Sequence, residues 1–175
     1  MINWVGSEAA DFKSFDEYGL SNDFAKAGGG NDIVYGGAGS DQLFGGDGED
    51  KLYGGIGVDV IHGDAGHDKI YGGAGADQLF GGEGADDFYI HSTDTGDYFF
   101  GQADQINDFN SDDTIWLQGN FSYGGSGNAP NPGEYTVSAQ DGGWLLTYKN
   151  LGEASNVFHD VHVMGDNPLE HISFF

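Results

Sequence analysis

Apolar and polar positions follow a fixed period of nine residues between residues 18 and 89. Seven consecutive nonapeptides begin at Ala27, and an eighth, degenerate copy from Tyr18 keeps only the second glycine and the aspartate. The fourth position is always glycine in the seven copies, the sixth is always aspartate, and the second is glycine in six. The eighth position is always apolar: Val34, Leu43, Leu52, Ile61, Ile70, Leu79 and Phe88. Since neighbouring strand residues face opposite ways, positions seven to nine predict a three-residue strand with its middle side chain in a core.

A second period, twice as long as the first, lies on top of it. Tyrosine fills the ninth position in alternate copies, at Tyr35, Tyr53, Tyr71 and Tyr89, and Phe44, His62 and Phe80 fill the others. If two nonapeptides make one coil, residues two motifs apart stack on adjacent strands. The sequence therefore predicts an all-β protein. Its parallel β-roll has two short parallel sheets, two nonapeptides per coil and three and a half coils.

The charge excludes several classes of partner. The chain has 29 acidic and 5 basic residues, a formal net charge of -24, and no cysteine. This balance repels nucleic acid and anionic membrane surfaces. No apolar run is long enough to predict a membrane span, and the N-terminus lacks the basic and apolar regions of a secretory signal. We expect either a cytoplasmic protein or one exported by a route that does not read the N-terminus.

The stacked coils bring carboxylates together. The roll places Asp32, Asp50, Asp68 and Asp86 along one edge and Asp41, Asp59 and Asp77 along the other, where Asp23 extends the row. Two carboxylates about 5 Å apart repel by roughly 3 kcal/mol at an effective dielectric near 20. The basic residues are too few to neutralise the rows, so the cation comes from solution.

The available ligands are oxygens, from aspartates and from the carbonyls of glycine-rich turns, which favours Ca²⁺ over Mg²⁺. Pairing each motif with the one two places later gives five sites, and a sixth if the degenerate copy takes part. The alternative is an acidic loop array that faces water and binds no metal. The glycines assigned to the metal-binding turns are Gly28, Gly30, Gly36, Gly37, Gly39, Gly45, Gly46, Gly48, Gly54, Gly55, Gly57, Gly63, Gly66, Gly72, Gly73, Gly75, Gly81, Gly82 and Gly84.

The repeat G-G-x-G-x-D-x-U-x, with U apolar, resembles the RTX calcium-binding nonapeptide family over residues 18 to 89. The resemblance implies a parallel β-roll in which the six-residue turns of motifs n and n+2 enclose each Ca²⁺ through backbone carbonyls and two aspartates. Two residues depart from the pattern: Ala27 replaces a first glycine and Asp64 a second one. We expect weaker or distorted sites at both.

The period stops after residue 89. Residues 103–119 read as a strand, a turn and a second strand, 134–150 as a hairpin about Asp141 and Gly142, and 156–167 as another strand. Residues 90–175 therefore predict an antiparallel β cap or a small sandwich that continues the roll. Residues 1–17 form an N-terminal segment expected to cap the other end. Three stretches of this region are similar to the C-terminal cap of serralysin-type proteases, type-I-secreted lipases and mannuronan C5-epimerase modules. They are "GADDFYI", "DQINDFNSDDTIWL" and "GDNPLEHISFF". That resemblance implies an uncleaved C-terminal signal for type I secretion machinery, with Glu170 before "HISFF".

No catalytic constellation is recognisable in the sequence. There is no H-E-x-x-H motif, and His159 and His162 lie on a predicted strand with their rings on opposite sides. His62 belongs to the phenylalanine row, where stacking is expected, and His67 belongs to a turn, where it is expected to meet water. A cluster before the first cap strand either holds one more Ca²⁺ or faces water: Asp94, Asp97, Asp104 and Asp108.

Two functions fit these observations. The first is a non-enzymatic, secreted Ca²⁺-binding module that folds outside the cell and supports export and folding of an attached upstream enzyme or adhesin. The second is an accessory polysaccharide-binding module, in which the tyrosine row stacks on sugar rings instead of forming a cross-strand ladder.

Overall fold

The computed structural model describes residues 1–15, 21–90, 103–117, 122–123, 134–140, 142–149 and 159–174. These residues form strands and one short 3₁₀ turn, Pro168–His171. The strands are β1 (Asn3–Val5), β2 (Phe12–Ser14), β3 (Phe24–Gly29), β4 (Ile33–Ala38), β5 (Gln42–Asp47), β6 (Lys51–Ile56), β7 (Val60–Ala65), β8 (Lys69–Ala74), β9 (Gln78–Glu83), β10 (Asp87–Ile90), β11 (Asp104–Phe109), β12 (Thr114–Leu117), β13 (Ser122–Tyr123), β14 (Glu134–Gln140), β15 (Gly143–Lys149), β16 (His159–Gly165) and β17 (Ile172–Phe174).

The strands alternate between two sheets. Sheet A has the order β1-β3-β5-β7-β9-β11-β16-β15-β14-β13, and sheet B has the order β17-β12-β10-β8-β6-β4-β2. Each strand of the repeat therefore pairs with the strand one coil away, two nonapeptides later, as in Leu52↔Ile70. The predicted all-β parallel roll with antiparallel strands at its C-terminal end is confirmed.

The apolar eighth positions form the core between the sheets. All seven of these side chains are fully buried, and so is Ala25 of the degenerate copy. Burying a Leu, Ile or Phe side chain contributes about 1.5–3 kcal/mol, so this single column is a major source of stability. The assignment of the eighth position to the core is confirmed.

The strands are longer than the sequence predicts. Strands β3 to β9 each span six residues, positions seven to nine and the first three positions of the next motif. Strand pairing continues through the glycines, as in Gly46↔Asp64. The second position adopts a positive φ (109° at Gly46), which turns the backbone while it remains paired with the neighbouring strand. The prediction of three-residue strands is wrong for this reason.

The N-terminal segment adds a coil to the roll. Strand β1 pairs in parallel with β3, and β2 pairs in parallel with β4. Trp4 packs against the core, and Phe15 is buried in it. Residues 1–15 thus continue the solenoid, although they contain only one glycine, Gly6.

The region after the repeat also continues the roll before it changes direction. Strands β11 and β12 pair in parallel with β9 and β10, and β16 and β17 stack in parallel on them. Residues 103–119 thus contain the two predicted strands, and these continue the parallel roll instead of pairing in an antiparallel cap. The antiparallel pairs are β14–β15, the predicted hairpin, and β15–β16. Each sheet has seven parallel strands in its roll, which makes a taller stack than three and a half coils.

Within the described part of the chain, no helix is long and apolar enough to cross a membrane.

Candidate metal centre

The aspartates form two buried ladders. Each aspartate N–H donates to Oδ1 of the aspartate one coil later, at 2.7 to 2.9 Å. All these aspartates are at most 3% exposed. The first ladder is Asp23, Asp41, Asp59, Asp77 and Asp104. The second is Asp32, Asp50, Asp68, Asp86 and Asp113.

Among the described residues, six repeat aspartates have a second carboxylate oxygen without a protein donor. Oδ2 is buried and accepts no hydrogen bond in Asp32, Asp41, Asp50, Asp59, Asp68 and Asp86. Burial is the main cause that raises the pKa of Asp59 and Asp68 to about 7, although a backbone N–H opposes it. Burial likewise raises the pKa of Asp50 and Asp86 to about 6. A buried anionic oxygen without a partner requires either a proton or a cation.

The first glycine of each motif leaves a space beside this oxygen. A Cβ at Gly36 would lie 2.7 Å from Oδ2 of Asp41 and 2.6 Å from the carbonyl oxygen of Gly54, one coil later. The same pair of oxygens, the motif's own Oδ2 and the next coil's first-position carbonyl, faces Gly45, Gly54 and Gly63. We call each of these four spaces a cradle. Carboxylate and carbonyl oxygens are the donors that Ca²⁺ prefers, so the residues fit this ion.

The glycines at the other two positions shape the turn. Those at the fourth position have positive φ, and at Gly57 (φ 140°) a Cβ would collide with the carbonyl oxygen of Gly39 in the preceding coil. The first-position glycines lie beside the aspartate carboxylates of their own motifs: Gly36, Gly45, Gly54, Gly63, Gly72 and Gly81. Second-position glycines with positive φ are Gly28, Gly37, Gly46, Gly55, Gly73 and Gly82. Fourth-position glycines with positive φ are Gly30, Gly39, Gly48, Gly57, Gly66, Gly75 and Gly84.

Both departures from the glycine pattern alter this geometry. Ala27 is fully buried at the first position of the Asp32 motif, so its methyl group takes the place that is open at Gly36. Asp64 has φ of 77° and, among the described residues, is the non-glycine with positive φ. Left-handed conformations cost a non-glycine residue stability. Burial is the main cause that raises the pKa of Asp50 and Asp68. Neighbouring carboxylates, among them Asp64, raise it further.

Three carboxylates near the ends of the roll have protein donors for Oδ2. The Ser21 hydroxyl donates to Asp23 at 2.7 Å, and the Asn110 N–H donates to Asp113 at 2.9 Å. Before the first repeat, Asp11 Oδ2 accepts the N–H and the hydroxyl of Ser7, at 2.7 and 2.9 Å. Asp23 therefore lies in its predicted ladder but differs from the six carboxylates above.

Sequence reasoning did not place Asp104 and Asp113 in the ladders. A signal was present, because Asp77-Gln78-Leu79 recurs as Asp104-Gln105-Ile106, and Asp113 follows one repeat length later. Asp108, in the predicted cluster, accepts the N–H groups of Gly81 and Gly82 at 2.9 and 3.0 Å. Its predicted partners Asp94 and Asp97 lie outside the described residues.

The described histidine side chains do not form a second metal centre. His62 is stacked between Phe44 and Phe80, with ring centroids at 4.7 and 4.3 Å, as predicted. His67 is half exposed, with Nε2 3.6 Å from Oδ2 of Asp87. His162 is exposed, and the side chain of His159 lies outside the described atoms. In the described ranges, no group of three or more His, Cys, Asp or Glu side chains is arranged to hold a metal, so any site there combines fewer side chains with backbone oxygens.

The tyrosine row is a stack of rings. Tyr35, Tyr53, Tyr71 and Tyr89 have successive centroids 4.4 Å apart with planes within 13° of parallel. Trp116 extends the stack from Tyr89 at 5.8 Å. The ring faces therefore contact each other along the sheet, which is the predicted cross-strand ladder.

Stacked nonapeptide coils with two buried aspartate ladders define the class of this protein as a parallel β-roll of repeats. The model of the RTX calcium-binding nonapeptide repeat family matches residues 18–52 and 53–88, in four copies. Residues 18–88 match the RTX calcium-binding nonapeptide repeat, so this part of the chain is a repeat module of the kind that the family model describes.

Two solved structures similar to this chain come from the same enzyme of Azotobacter vinelandii, a mannuronan C5-epimerase. Its AlgE6R3 subunit is 26% identical, with a TM-score of 0.43, covering 95% of this chain and 79% of that one. Its AlgE6R2 subunit is 26% identical, with a TM-score of 0.41, covering 97% of this chain and 91% of that one. No curated protein matches the chain.

Proposed function

We propose that the repeat aspartates and turn glycines bind five or six Ca²⁺ ions and that the module folds only when these sites fill. In each cradle, Oδ2 of one motif and the first-position carbonyl of the next coil supply oxygens to one ion. The four cradles at Gly36, Gly45, Gly54 and Gly63 form the centre of the array. Metal binding of this kind is folding free energy, because the sites do not exist in the unfolded chain.

The observation that carries this proposal is the row of buried Oδ2 atoms without donors. At Asp59, for example, Oδ1 accepts the N–H of Asp41 while Oδ2 is buried without a partner. The chain has 5 basic residues for 29 acidic ones, so its own cations do not neutralise the ladders. A divalent ion in each cradle compensates the buried charge and joins consecutive coils.

Circular dichroism during a Ca²⁺ titration tests the proposal. We expect a disordered spectrum after complete chelation and a cooperative rise of β signal as Ca²⁺ is added. Mg²⁺ at the same concentration is the control, because it retains its waters and fits carbonyl cradles poorly. A β spectrum that survives strong chelation at neutral pH would contradict Ca²⁺-dependent folding.

We also propose that the module is extracellular and is exported, unfolded, by type I secretion machinery. Intracellular Ca²⁺ is scarce, so the chain would stay unfolded until it leaves the cell, and folding there would order an attached upstream enzyme or adhesin. Support comes from the sequence resemblance of the C-terminal segment around Glu170. Export of the chain from a bacterium with a type I exporter tests this: deletion of residues 168–175 should abolish export, and unchanged export would contradict it.

Polysaccharide binding is the alternative function, and the tyrosine stack does not favour it. The faces of Tyr53 and Tyr71 contact neighbouring rings, so a sugar meets ring edges. Lys51 and Lys69, cross-strand neighbours on the same outer face, offer positive charge beside this row. A glycan screen at saturating Ca²⁺ separates the two functions, because a saccharide ligand would support the alternative.

A further inference from the structure

One nonapeptide after the last glycine-rich repeat continues the second aspartate ladder. With Asp113 as the sixth position, the copy DFNSDDTIW begins at Asp108 and ends at Trp116. Its apolar eighth residue, Ile115, is fully buried and pairs with Phe88 of the preceding repeat. The Asp86 N–H donates to Oδ1 of Asp113, as in every earlier coil. Residues 108–116 are therefore structurally a repeat, with aspartate in the first position instead of glycine.

Asp86 is the last repeat carboxylate of its ladder that lacks a donor. Its Oδ2 is fully buried without a hydrogen bond, and a Cβ at Gly81 would collide with this oxygen. Three other carboxylates near the ends of the roll receive hydrogen bonds on Oδ2 from the protein: Ser7 donates to Asp11, Ser21 to Asp23, and the Asn110 N–H to Asp113. No such donor reaches Asp86 among the described residues, so its charge requires a partner from solution.

At Gly81, a side-chain carboxylate is hydrogen-bonded to the glycine that faces Oδ2 of Asp86. In the four cradles, the oxygen opposite Oδ2 is the first-position carbonyl of the next coil, and around Gly81 no such carbonyl is among the nearest atoms. The residue at that first position is Asp108. Its carboxylate accepts the N–H groups of Gly81 and Gly82, which places it at the glycine that faces Asp86 Oδ2. Each oxygen of a carboxylate has further lone pairs, so these hydrogen bonds leave metal-binding capacity.

We propose that Asp86 and Asp108 hold a further Ca²⁺ at the C-terminal end of the roll, outside the glycine-rich repeats. This inference rests on the proposed function, since it extends the same array by one ion. A site with two carboxylates carries more negative charge than a cradle that draws one ligand from a carbonyl. Ligand charge is one of the determinants of Ca²⁺ affinity, so the terminal site should be among the tighter ones.

Native mass spectrometry of the whole chain at saturating Ca²⁺ tests the site by counting bound ions. We expect Asp108→Asn to bind one ion fewer than the unmodified chain. Asp112→Asn is the matched control: it removes the same charge nearby, from an exposed side chain in the same repeat, and should bind the full number. An Asp108→Asn chain that retains the full number would overturn the terminal site while leaving the proposed function intact.

Two further results separate the remaining outcomes. A chain that binds no Ca²⁺ at all would refute the proposed function itself. If Asp108→Asn does not fold, a Ca²⁺ anomalous difference map of the unmodified protein decides. We expect a peak between Asp86 Oδ2 and the Asp108 carboxylate, and its absence where the cradles show peaks overturns the inference.

Discussion

The backbone N–H of Asp50 donates to Oδ1 of Asp68, one coil away, at 2.8 Å. This bond fixes the orientation of the Asp68 carboxylate and leaves Oδ2 as the oxygen that faces the cradle. Removing the aspartate therefore changes two things, the ladder and the metal site. An asparagine keeps one carbonyl oxygen for the ladder and removes the charge.

Asp59→Asn should remove one Ca²⁺ site. A site held at a hundred times its Kd stabilises the folded state by about 2.7 kcal/mol. At about 2–4 °C per kcal/mol, the variant should melt about 5–11 °C lower in thermal denaturation at saturating Ca²⁺. Asp47→Asn, at an exposed third position, is the control and should melt within about 1–2 °C of the unmodified chain, like other surface substitutions. Equal melting of both variants would show that the ladder aspartate does not bind metal.

Gly36→Ala should close a cradle without straining the backbone. Its φ is not positive, so the added methyl acts through its clash with Asp41 Oδ2 and the Gly54 carbonyl. Calorimetric titration should show one site lost or weakened by about tenfold, about 1.4 kcal/mol. The reciprocal change, Ala27→Gly, opens the position beside Asp32 and should strengthen a site. An unchanged affinity in both variants would refute the cradle as the binding space.

The chelated protein should gain β structure as the pH falls. The folded pKa of Asp59 and Asp68, about 7, lies above the ordinary value of 3.8, so the folded chain retains protons that the unfolded chain releases. Such a group contributes stability that is fully present below about pH 4 and is lost as the pH rises through about 7. Circular dichroism in EDTA should therefore show more β signal at pH 5 than at pH 8. The Ca²⁺-saturated protein should lack this gain, because metal and proton compete for the same oxygens.

Asp64→Gly should stabilise the module. The substitution relieves a positive φ of 77° and removes a carboxylate that acts on Asp50 and Asp68. We expect a gain of about 1 kcal/mol, or a melting temperature about 2–4 °C higher at saturating Ca²⁺. Asp64→Asn removes the charge alone, so the difference between the variants measures the backbone contribution. A lower melting temperature for Asp64→Gly would show that the carboxylate itself stabilises the roll.

Tyr53→Leu should destabilise the roll through the ring stack. The residue stacks on Tyr35 and Tyr71, and each such pair contributes about 0.5–1.5 kcal/mol, so the expected loss is about 1–3 kcal/mol in denaturant unfolding. Tyr53→Phe preserves the rings and should unfold like the unmodified chain. Unaltered stability in Tyr53→Leu, together with a lost glycan ligand, would instead assign the row to saccharide binding.

The sequence predicts the repeat region well because its signal is periodic. A column such as Leu43–Ile61 and a row such as Tyr53–Tyr71 follow directly from counting residues, since register never shifts in a solenoid without insertions. The residues that are predicted to bind Ca²⁺ are identified by the same count.

Prediction fails where the period is interrupted or the residue types change. Consecutive repeat aspartates are one repeat length apart, but Asp86 and Asp104 are two repeat lengths apart. This gap hides the continuation of the ladders. Asp11, whose N–H donates to Oδ1 of Asp32, is likewise hidden because Ser7 stands where the repeat has its second glycine. At both ends, backbone pairing continues although side-chain identities no longer repeat. The solenoid therefore extends beyond the glycine-rich pattern at both ends.

The one-way sense of the aspartate ladders makes the two ends of the roll chemically different. Amide groups always point towards the C-terminal neighbour and carboxylates towards the N-terminal one. The N-terminal end of one roll therefore matches only the C-terminal end of another. If two identical ends met, amides would oppose amides or carboxylates would oppose carboxylates. The roll is therefore polar, like a filament with two different ends. Any coil added to it, or any second roll joined to it, must have the same direction as the existing coils.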